Sequence, residues 1–118
     1  MESSNETGTR FQPSIRVAVR GEEKFFGPGI ALLLELVQET GSVKEACRRM
    51  ELSYTKGWTI INRAEAELGF PLIRRTQGGR EGGSSAMTEK GKNWVETYRA
   101  FEKDVKDYAE EAFAKRFS

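Results

Sequence analysis

The chain has 118 residues, of which 31% are charged and 37% hydrophobic, a balance that fits one small globular domain. It contains no histidine and one cysteine, Cys47, which excludes histidine-dependent catalytic triads, most zinc sites and an internal disulfide. We therefore expect neither an enzyme nor a metal or cofactor site. No apolar run is long enough to cross a membrane and the N-terminus does not resemble a signal peptide, so the expected location is the cytoplasm.

The net charge of +1 is unevenly distributed along the chain. Residues 41–80 carry eight basic and four acidic side chains, whereas acidic residues slightly exceed basic residues on either side of this segment. A basic segment between near-neutral flanks is typical of a nucleic-acid-binding surface, although an ordinary solvated surface produces the same pattern.

The first elements are predicted from hydrophobic spacing and from glycine and proline. Residues 1–13 are polar, and we expect them to form a disordered N-terminal lead segment. Hydrophobic residues at every second position of 15–19 predict a strand, with 22–26 as a short partner strand. A first helix is expected to begin near Pro28 and to end at Gly41.

Two further helices are predicted in direct succession. Ser42 and Glu45 match the capping box at the start of the second helix, and Cys47 lies on its buried side as a small core residue. The third helix is expected to begin after Ser53 and to end near Gly69. Two short helices followed through a tight turn by a third form the helix-turn-helix pattern.

A β-hairpin is predicted after the third helix. Residues 72–76 and 86–87 are strand-like, and the glycine-rich segment 77–85 between them contains Arg80. A hairpin in this position is a wing, whose glycines let the backbone approach DNA while Arg80 enters the minor groove or pairs with a phosphate. The glycine pattern matches neither common nucleotide-binding motif. The predicted fold class is mainly α with a small β component, a winged helix-turn-helix with an N-terminal hairpin.

From Thr88 onward the chain is predicted to form one long helix with a heptad seam of apolar residues. The seam either packs on the core of the same chain or joins two copies. A helix of roughly 40 Å reaches beyond a core of three short helices, so we expect a homodimer. The expected interface residues are Trp94, Tyr98, Phe101, Val105, Tyr108 and Ala112.

The third helix divides into an inward and an outward face. Gly57 and Ile61 lie on the inward face, where Gly57 would let the second helix cross closely. Threonine and asparagine on the outward face suit base edges in the major groove, and the flanking cations suit phosphate or guanine. A polar face turned to solvent is the alternative. The outward residues are Thr55, Thr59, Asn62 and Ala66, flanked by Lys56, Trp58 and Arg63.

From about residue 14 to about residue 110 the chain resembles the N-terminal winged-helix domain of the ModE-type, molybdate-responsive regulators, which is similar to the LysR-type DNA-binding domain. The most specific matching segments are S-Y-T-K-G-W from Ser53 and G-G-R-E-G-G at 78–83. The resemblance implies a dimer that places its third helix in the major groove and its wing on the flanking backbone. The DNA-contacting residues that it implies are Ser53, Tyr54, Thr55, Lys56, Trp58 and Arg80.

The sequence differs from the ModE-type pattern in two respects, and the role of one residue is undecided. Where many relatives have Glu-Arg, this chain has Arg74-Arg75, so Arg75 joins the expected DNA contacts with Thr59, Asn62 and Arg63. Trp58 either braces the wing or touches DNA. ModE-type regulators continue into molybdate-binding domains for which 118 residues leave no room, so we expect a ModE-like regulator without that sensor. A separate sensor protein is an open alternative.

The expected organisation is a lead at 1–13, a winged helix-turn-helix at 14–87 and a dimerisation helix at 88–118. The expected function is that of a homodimeric transcriptional regulator that binds an inverted repeat in double-stranded DNA. The alternative is a winged helix that binds another protein and not DNA; steep salt dependence of DNA affinity separates the two. A small enzyme or phosphate-binding protein would need clustered carboxylates that the sequence does not offer.

Overall fold

The computed structural model describes residues 10–76 and 84–118, which contain four helices and two antiparallel hairpins. The elements follow the predicted order along the chain. They are β1 (Val19–Arg20), β2 (Lys24–Phe26), α1 (Pro28–Thr40), α2 (Val43–Arg49), α3 (Tyr54–Leu68), β3 (Ile73–Thr76), β4 (Ser84–Met87) and α4 (Glu89–Arg116). Among these elements, no helix is both long enough and apolar enough to cross a bilayer.

The N-terminal hairpin is shorter than predicted. Only Val19–Arg20 pairs with β2, although alternation had predicted a strand over 15–19. The preceding residues instead run along α4, where the Tyr98 hydroxyl donates a 2.8 Å hydrogen bond to the carbonyl of Val17. Alternation therefore reports a segment with one side buried, and here a helix rather than a second strand covers that side. Residues 1–9 of the predicted lead lie outside the described residues.

The predicted helix boundaries are confirmed by the backbone and by side-chain caps. Gly41 ends α1 and Gly69 ends α3, both with positive φ (75° and 82°) that glycine adopts without strain. Ser42 accepts a hydrogen bond from the amide of Glu45, and Ser53 accepts one from the amide of Lys56. These caps fix where α2 and α3 begin.

The capping box of α2 forms only in part. The amide of Ser42 donates a 3.2 Å hydrogen bond to the Thr40 hydroxyl rather than to the Glu45 carboxylate. That carboxylate binds Arg48 and Arg49, one turn further along α2. Because charged arginines are stronger donors than a backbone amide, they compete successfully for the carboxylate.

α1 lies at the centre of the core, and the other helices pack around it. Leu33, Leu34 and Val37 of α1 are fully buried together with Ile61 of α3. Burial of each such side chain contributes about 1.5–3 kcal/mol relative to exposure. Cys47 of α2 is 1% exposed, which confirms its predicted place in the core.

Hydrogen bonds attach the base of the β3–β4 hairpin to two helices. The amide of Ser85 donates to the carbonyl of Gly41, and the amide of Met87 donates to the Gln38 side chain, both at 2.8 Å. On the other strand, the Glu65 carboxylate accepts from the amides of Leu72 (2.7 Å) and Ile73 (3.2 Å). The base of the wing is thus fixed relative to α3, while 77–83, including Arg80, lie outside the described residues.

α4 begins at the N-cap Thr88, continues for 28 residues and is attached to α1 by a charged contact. Arg99 donates two hydrogen bonds to the Glu35 carboxylate, at 2.9 and 2.7 Å. The same guanidinium binds Glu102, which is 7% exposed. The two hydrogen bonds between Arg99 and Glu35 hold α4 against α1 and leave the other side of α4 exposed.

Candidate nucleic-acid interface

The exposed face of α3 carries the residues that helical spacing predicted for it. Thr55, Lys56, Thr59 and Asn62 are exposed, whereas Gly57 on the opposite side is buried. The first acidic residue of α3 is Glu65, whose carboxylate is turned inward to the amides at the start of β3. The first eleven residues of α3 therefore present donors and acceptors with no acidic side chain of the helix among them.

Two polar side chains, one on this face and one at the N-cap of α3, have defined hydrogen-bonding roles. The Thr59 hydroxyl donates to the carbonyl of Thr55 at 3.0 Å, so it offers a neighbouring molecule its lone pairs and methyl group. The Ser53 hydroxyl accepts from the amide of Lys56 at 3.0 Å and retains its own proton for donation. Within the described residues, the Asn62 amide group makes no hydrogen bond to the protein.

Trp58 connects α3 to the wing. The guanidinium carbon of Arg75 in β3 lies 4.4 Å from the centre of the Trp58 ring, within the range of a cation–π contact. The Trp58 indole is half-buried, and its ring nitrogen is enclosed without a hydrogen-bond partner among the described residues. The contact between Trp58 and Arg75 is the geometry that the bracing role requires.

A cleft of about 350 Å³ brings together the ends of three elements. Lys44 of α2 and Tyr54 of α3 line it together with Arg75 and Ser85 of the wing. Two cations and two hydroxyl groups in one cleft suit a phosphate. The sequence placed Lys44 in the basic segment but not in the site, since only the fold brings the start of α2 beside the hairpin.

Ion pairs within the protein reduce the number of cations in the basic segment, residues 41–80, that are available to bind a phosphate. Arg48 and Arg49 both bind Glu45, and these hydrogen bonds lower the pKa of that carboxyl to about 2. Arg63 binds Glu23 of the β1–β2 turn at 3.0 Å, with both side chains largely exposed. The cations of the basic segment that have no ion pair within the described residues are Lys44, Lys56, Arg74 and Arg75.

The predicted seam of α4 divides into buried and exposed residues. Tyr98 is 3% exposed, and Trp94 packs edge-on against Phe26 with ring centres 5.6 Å apart. The expected interface is therefore corrected at Tyr98, which belongs to the core of a single chain, whereas Trp94 is half-buried and packs against that core. Helical spacing alone places both in the stripe, but β2 and the segment before β1 cover that edge of it.

The rest of the seam is more accessible. Phe101 is 49% exposed and Tyr108 is 70% exposed, although both are large and apolar. Val105 and Ala112 are half-buried, with Val105 against the edge of the core. Exposed aromatic residues aligned along a helix are typical of a surface that contacts another molecule.

Residues 31–92 match the protein family described as bacterial regulatory helix-turn-helix protein, lysR family. The matched region runs from α1 to the first turn of α4 and includes α3 and both wing strands.

Curated relatives match over a similar region. The molybdenum transport protein ModE of Azotobacter vinelandii is 37% identical over 70 residues, which are 59% of this chain and 26% of that protein. The DNA-binding transcriptional dual regulator ModE of Escherichia coli K12 is 26% identical over 88 residues, 74% of this chain and 34% of that protein. The chain thus spans about a third or less of these relatives, and the matches confirm the resemblance to ModE-type proteins.

A solved structure confirms the fold. The CbnR DBD, solved in complex with DNA, superposes with a TM-score of 0.58 and 21% sequence identity. The superposition covers 74% of this chain and 94% of the other. The shared architecture is the predicted winged helix-turn-helix.

Proposed function

The chain belongs to the lysR family of bacterial regulatory helix-turn-helix proteins, and we propose that it is a transcriptional regulator that binds double-stranded DNA through α3 and the wing. The observation that carries the proposal is the exposed face of α3. It combines Thr55, Lys56 and Asn62 with no acidic residue in the first eleven positions of the helix, and the cleft lined by Lys44 and Arg75 adjoins its N-terminal end.

Sequence recognition would come from α3 in the major groove. Asn62 can form paired hydrogen bonds with adenine, and Thr59 contributes an acceptor and a methyl group that fits a thymine methyl. Thr55 and Lys56 reach the same groove from the first turn, where Lys56 suits guanine or phosphate.

Affinity would come mainly from phosphate contacts around the helix. Lys44, Tyr54 and Arg75 line one phosphate cleft, and Ser53 and Trp58 position the groups around it. Arg63 and the wing residue Arg80 complete the proposed contacts. Each phosphate neutralised by the protein releases counterions, so affinity should fall steeply as salt rises.

We further propose that the active form is a homodimer in the cytoplasm. Residues 14–87 would bind DNA, and 88–118 would join two copies through Phe101, Val105, Tyr108 and Ala112. Two copies related by a twofold axis present two α3 helices, which fits an inverted repeat with half-sites about one helical turn apart. The exposure of Phe101 and Tyr108 in a single chain supports this arrangement.

The test is fluorescence anisotropy of the protein with DNA from upstream of its own gene and with a shuffled copy, at two salt concentrations. We expect tighter, strongly salt-dependent binding to the upstream fragment. Asn62→Ala should reduce the preference for that fragment by about 1–3 kcal/mol. Lys44→Ala combined with Lys56→Ala should weaken binding to both fragments and reduce the salt slope by about two.

Lys103→Ala provides the matched control, because Lys103 is an exposed cation on α4, paired with Asp107. It should leave affinity and salt slope unchanged. Absence of binding even at low salt would contradict the proposal and favour a winged helix that binds another protein. Equal loss with Lys103→Ala and with the Lys44/Lys56 double variant would contradict the assignment of the surface.

A further inference from the structure

A second concave surface lies between the N-terminal hairpin and the helices. This groove has a volume of about 400 Å³, within the range of small-molecule sites in proteins. Its walls come from β2, the start of α1, the turn between α2 and α3, and one side of α3. The apolar residues of the floor are Ile30, Leu33, Met50, Leu52 and Ile60.

The rim of the groove is cationic. Arg16, Lys24 and Arg63 line it, and no carboxylate is among its described lining residues. A guanidinium nitrogen of Arg16 lies 4.0 Å from where a Cβ on Gly27 would be, so this charge stands at the start of α1. Arg16 and Lys24 have no ion pair within the described part of the chain. An apolar floor with cations on one rim is complementary to an amphipathic anion.

We propose that this groove binds a small organic carboxylate with an apolar body, such as an aryl-alkyl or short-chain fatty acid. The carboxylate would lie between Arg16 and Lys24, and the body would cover the half-buried side chains of Met50, Leu52 and Ile60. The exposed pair between Arg63 and Glu23 is weakly held, so the ligand carboxylate can replace Glu23 as the partner of Arg63.

The groove shares α3 with the proposed DNA surface. Ile60 and Arg63 line the groove, whereas Thr59 and Asn62, their neighbours in sequence, lie on the exposed face. Ligand binding would therefore change DNA affinity, and DNA would change ligand affinity by the same factor. This coupling rests on the proposed function, whereas the binding site itself does not.

The site is tested by two-dimensional ¹⁵N–¹H NMR titration of the full chain with 4-phenylbutyrate, and with 4-phenylbutanamide as the uncharged analogue. We expect saturable shifts at the amides of Gly29, Ile30, Leu52 and Ile60, with a dissociation constant on the order of 1 mM or tighter. The amide analogue should bind at least about tenfold more weakly, because it lacks the charge that faces the rim.

Variants that replace rim cations with glutamine test whether these cations bind the carboxylate. Arg16→Gln combined with Lys24→Gln should weaken 4-phenylbutyrate binding about tenfold without lowering Tm, because both side chains are exposed. Lys92→Gln combined with Lys103→Gln removes the same charge from α4 and should leave binding unchanged. Shifts that do not saturate, shifts centred on α4, or equal binding of the amide analogue would each overturn the site.

Anisotropy with DNA in the presence of saturating 4-phenylbutyrate separates the site from the proposed function. A change in DNA affinity that the Arg16/Lys24 double variant abolishes supports the coupling, and an unchanged affinity overturns it. Saturable ligand binding by a chain that does not bind DNA would refute the proposed function and leave the groove as a ligand site. DNA binding by a chain that shows no saturable NMR shifts with 4-phenylbutyrate would overturn the ligand site and leave the proposed function in place.

Discussion

Gly57 of α3 and Cys47 of α2 occupy complementary positions at the crossing of their helices. A Cβ built on Gly57 overlaps the Sγ atom of Cys47, which is itself 1% exposed. The two helices therefore approach as closely as a glycine allows, and the thiol fills the space that a side chain would need. The sequence predicted a close crossing at Gly57, and the structure identifies Cys47 as the group that requires it.

Gly57→Ala should destabilise the protein by about 1–3 kcal/mol, because the new methyl group forces α2 and α3 apart in a closely packed core. Cys47→Ala removes the overlapping sulfur, so adding it to Gly57→Ala should recover part of that loss. The free energy of unfolding in urea, measured for both single variants and the double variant, tests the relationship.

Gly29→Ala is the matched control for this series, because a Cβ on Gly29 meets nothing within 4 Å. It should leave stability unchanged or raise it by up to about 1 kcal/mol through the better helix propensity of alanine. If the effects of Gly57→Ala and Cys47→Ala simply add, the two residues do not interact as described.

Local signals in the sequence predicted most of the fold. Ser42, Ser53, Gly41 and Gly69 bound the helices where capping preferences place them, because these preferences act within one helical turn. The strand predicted over 15–19 was wrong in length, because alternation records which side is buried and not which element covers it. The contact with α4, in which Tyr98 binds the Val17 carbonyl, is distant in sequence and determines where the strand begins.

The candidate site was predicted less completely for the same reason. Helical period identified the exposed face of α3, but Lys44 became part of the surface only because α1 packs against β4 and brings the start of α2 beside the wing. The spacing of the α4 seam could not show that Trp94 packs against β2 or that the Val17 carbonyl binds Tyr98. The pairing of Arg63 with Glu23, forty residues apart, likewise has no local signal.

Glu23→Gln should raise DNA affinity about two- to fivefold at low salt, because it frees Arg63 from an exposed ion pair and removes a negative charge near α3. Anisotropy at several salt concentrations measures the gain, which should shrink as salt rises. Glu22→Gln removes the same charge from the neighbouring position and should give a smaller change. Equal gains for both variants would assign the effect to net charge rather than to Arg63.

Trp58→Ala should weaken DNA binding by roughly 1 kcal/mol beyond any loss of folded protein, because Arg75 loses the ring that holds it. Trp58→Phe retains an aromatic face and should preserve most of the affinity. Anisotropy at a temperature where circular dichroism shows every variant folded makes the comparison. If the alanine and phenylalanine variants bind equally, Trp58 does not position Arg75.

The Glu102 carboxyl should make stability depend on pH. Burial raises its pKa, but the hydrogen bond and charge of Arg99, with Lys106, outweigh burial and hold the pKa below the usual 4.5. A lowered pKa in the folded state stabilises the protein above pH 4.5, and this contribution is lost as pH falls through the folded-state value.

Glu102→Gln should therefore cost about 1 kcal/mol or more at pH 7, and the difference from the parent chain should shrink in acid. Urea unfolding between pH 7 and pH 3 measures it. Glu96→Gln, at an exposed position of the same helix, should have little effect at neutral pH. A Glu102→Gln difference that stays constant with pH would show that the carboxylate charge does not stabilise this contact.

Tyr108→Asp should convert the proposed dimer into a monomer. Tyr108 is 70% exposed in one chain, so the aspartate costs little there, whereas in a dimer its charge would be buried against apolar side chains of the partner. Sedimentation equilibrium over a range of concentrations should show association of the parent chain and none for the variant. Phe101→Asp should act in the same direction, because Phe101 lies on the same stripe of α4.

Ala100→Asp is the matched control for these variants. It adds the same charge to α4 at an exposed position that points about 100° away from Phe101 around the helix axis. A dimer that uses Phe101 and Tyr108 should tolerate this change. If Ala100→Asp dissociates the protein as readily as Tyr108→Asp, added charge on α4 explains the result, and the aromatic stripe is not the interface. Dimers that survive both aspartates on the stripe would place the contact on another surface and change the half-site spacing expected of the DNA.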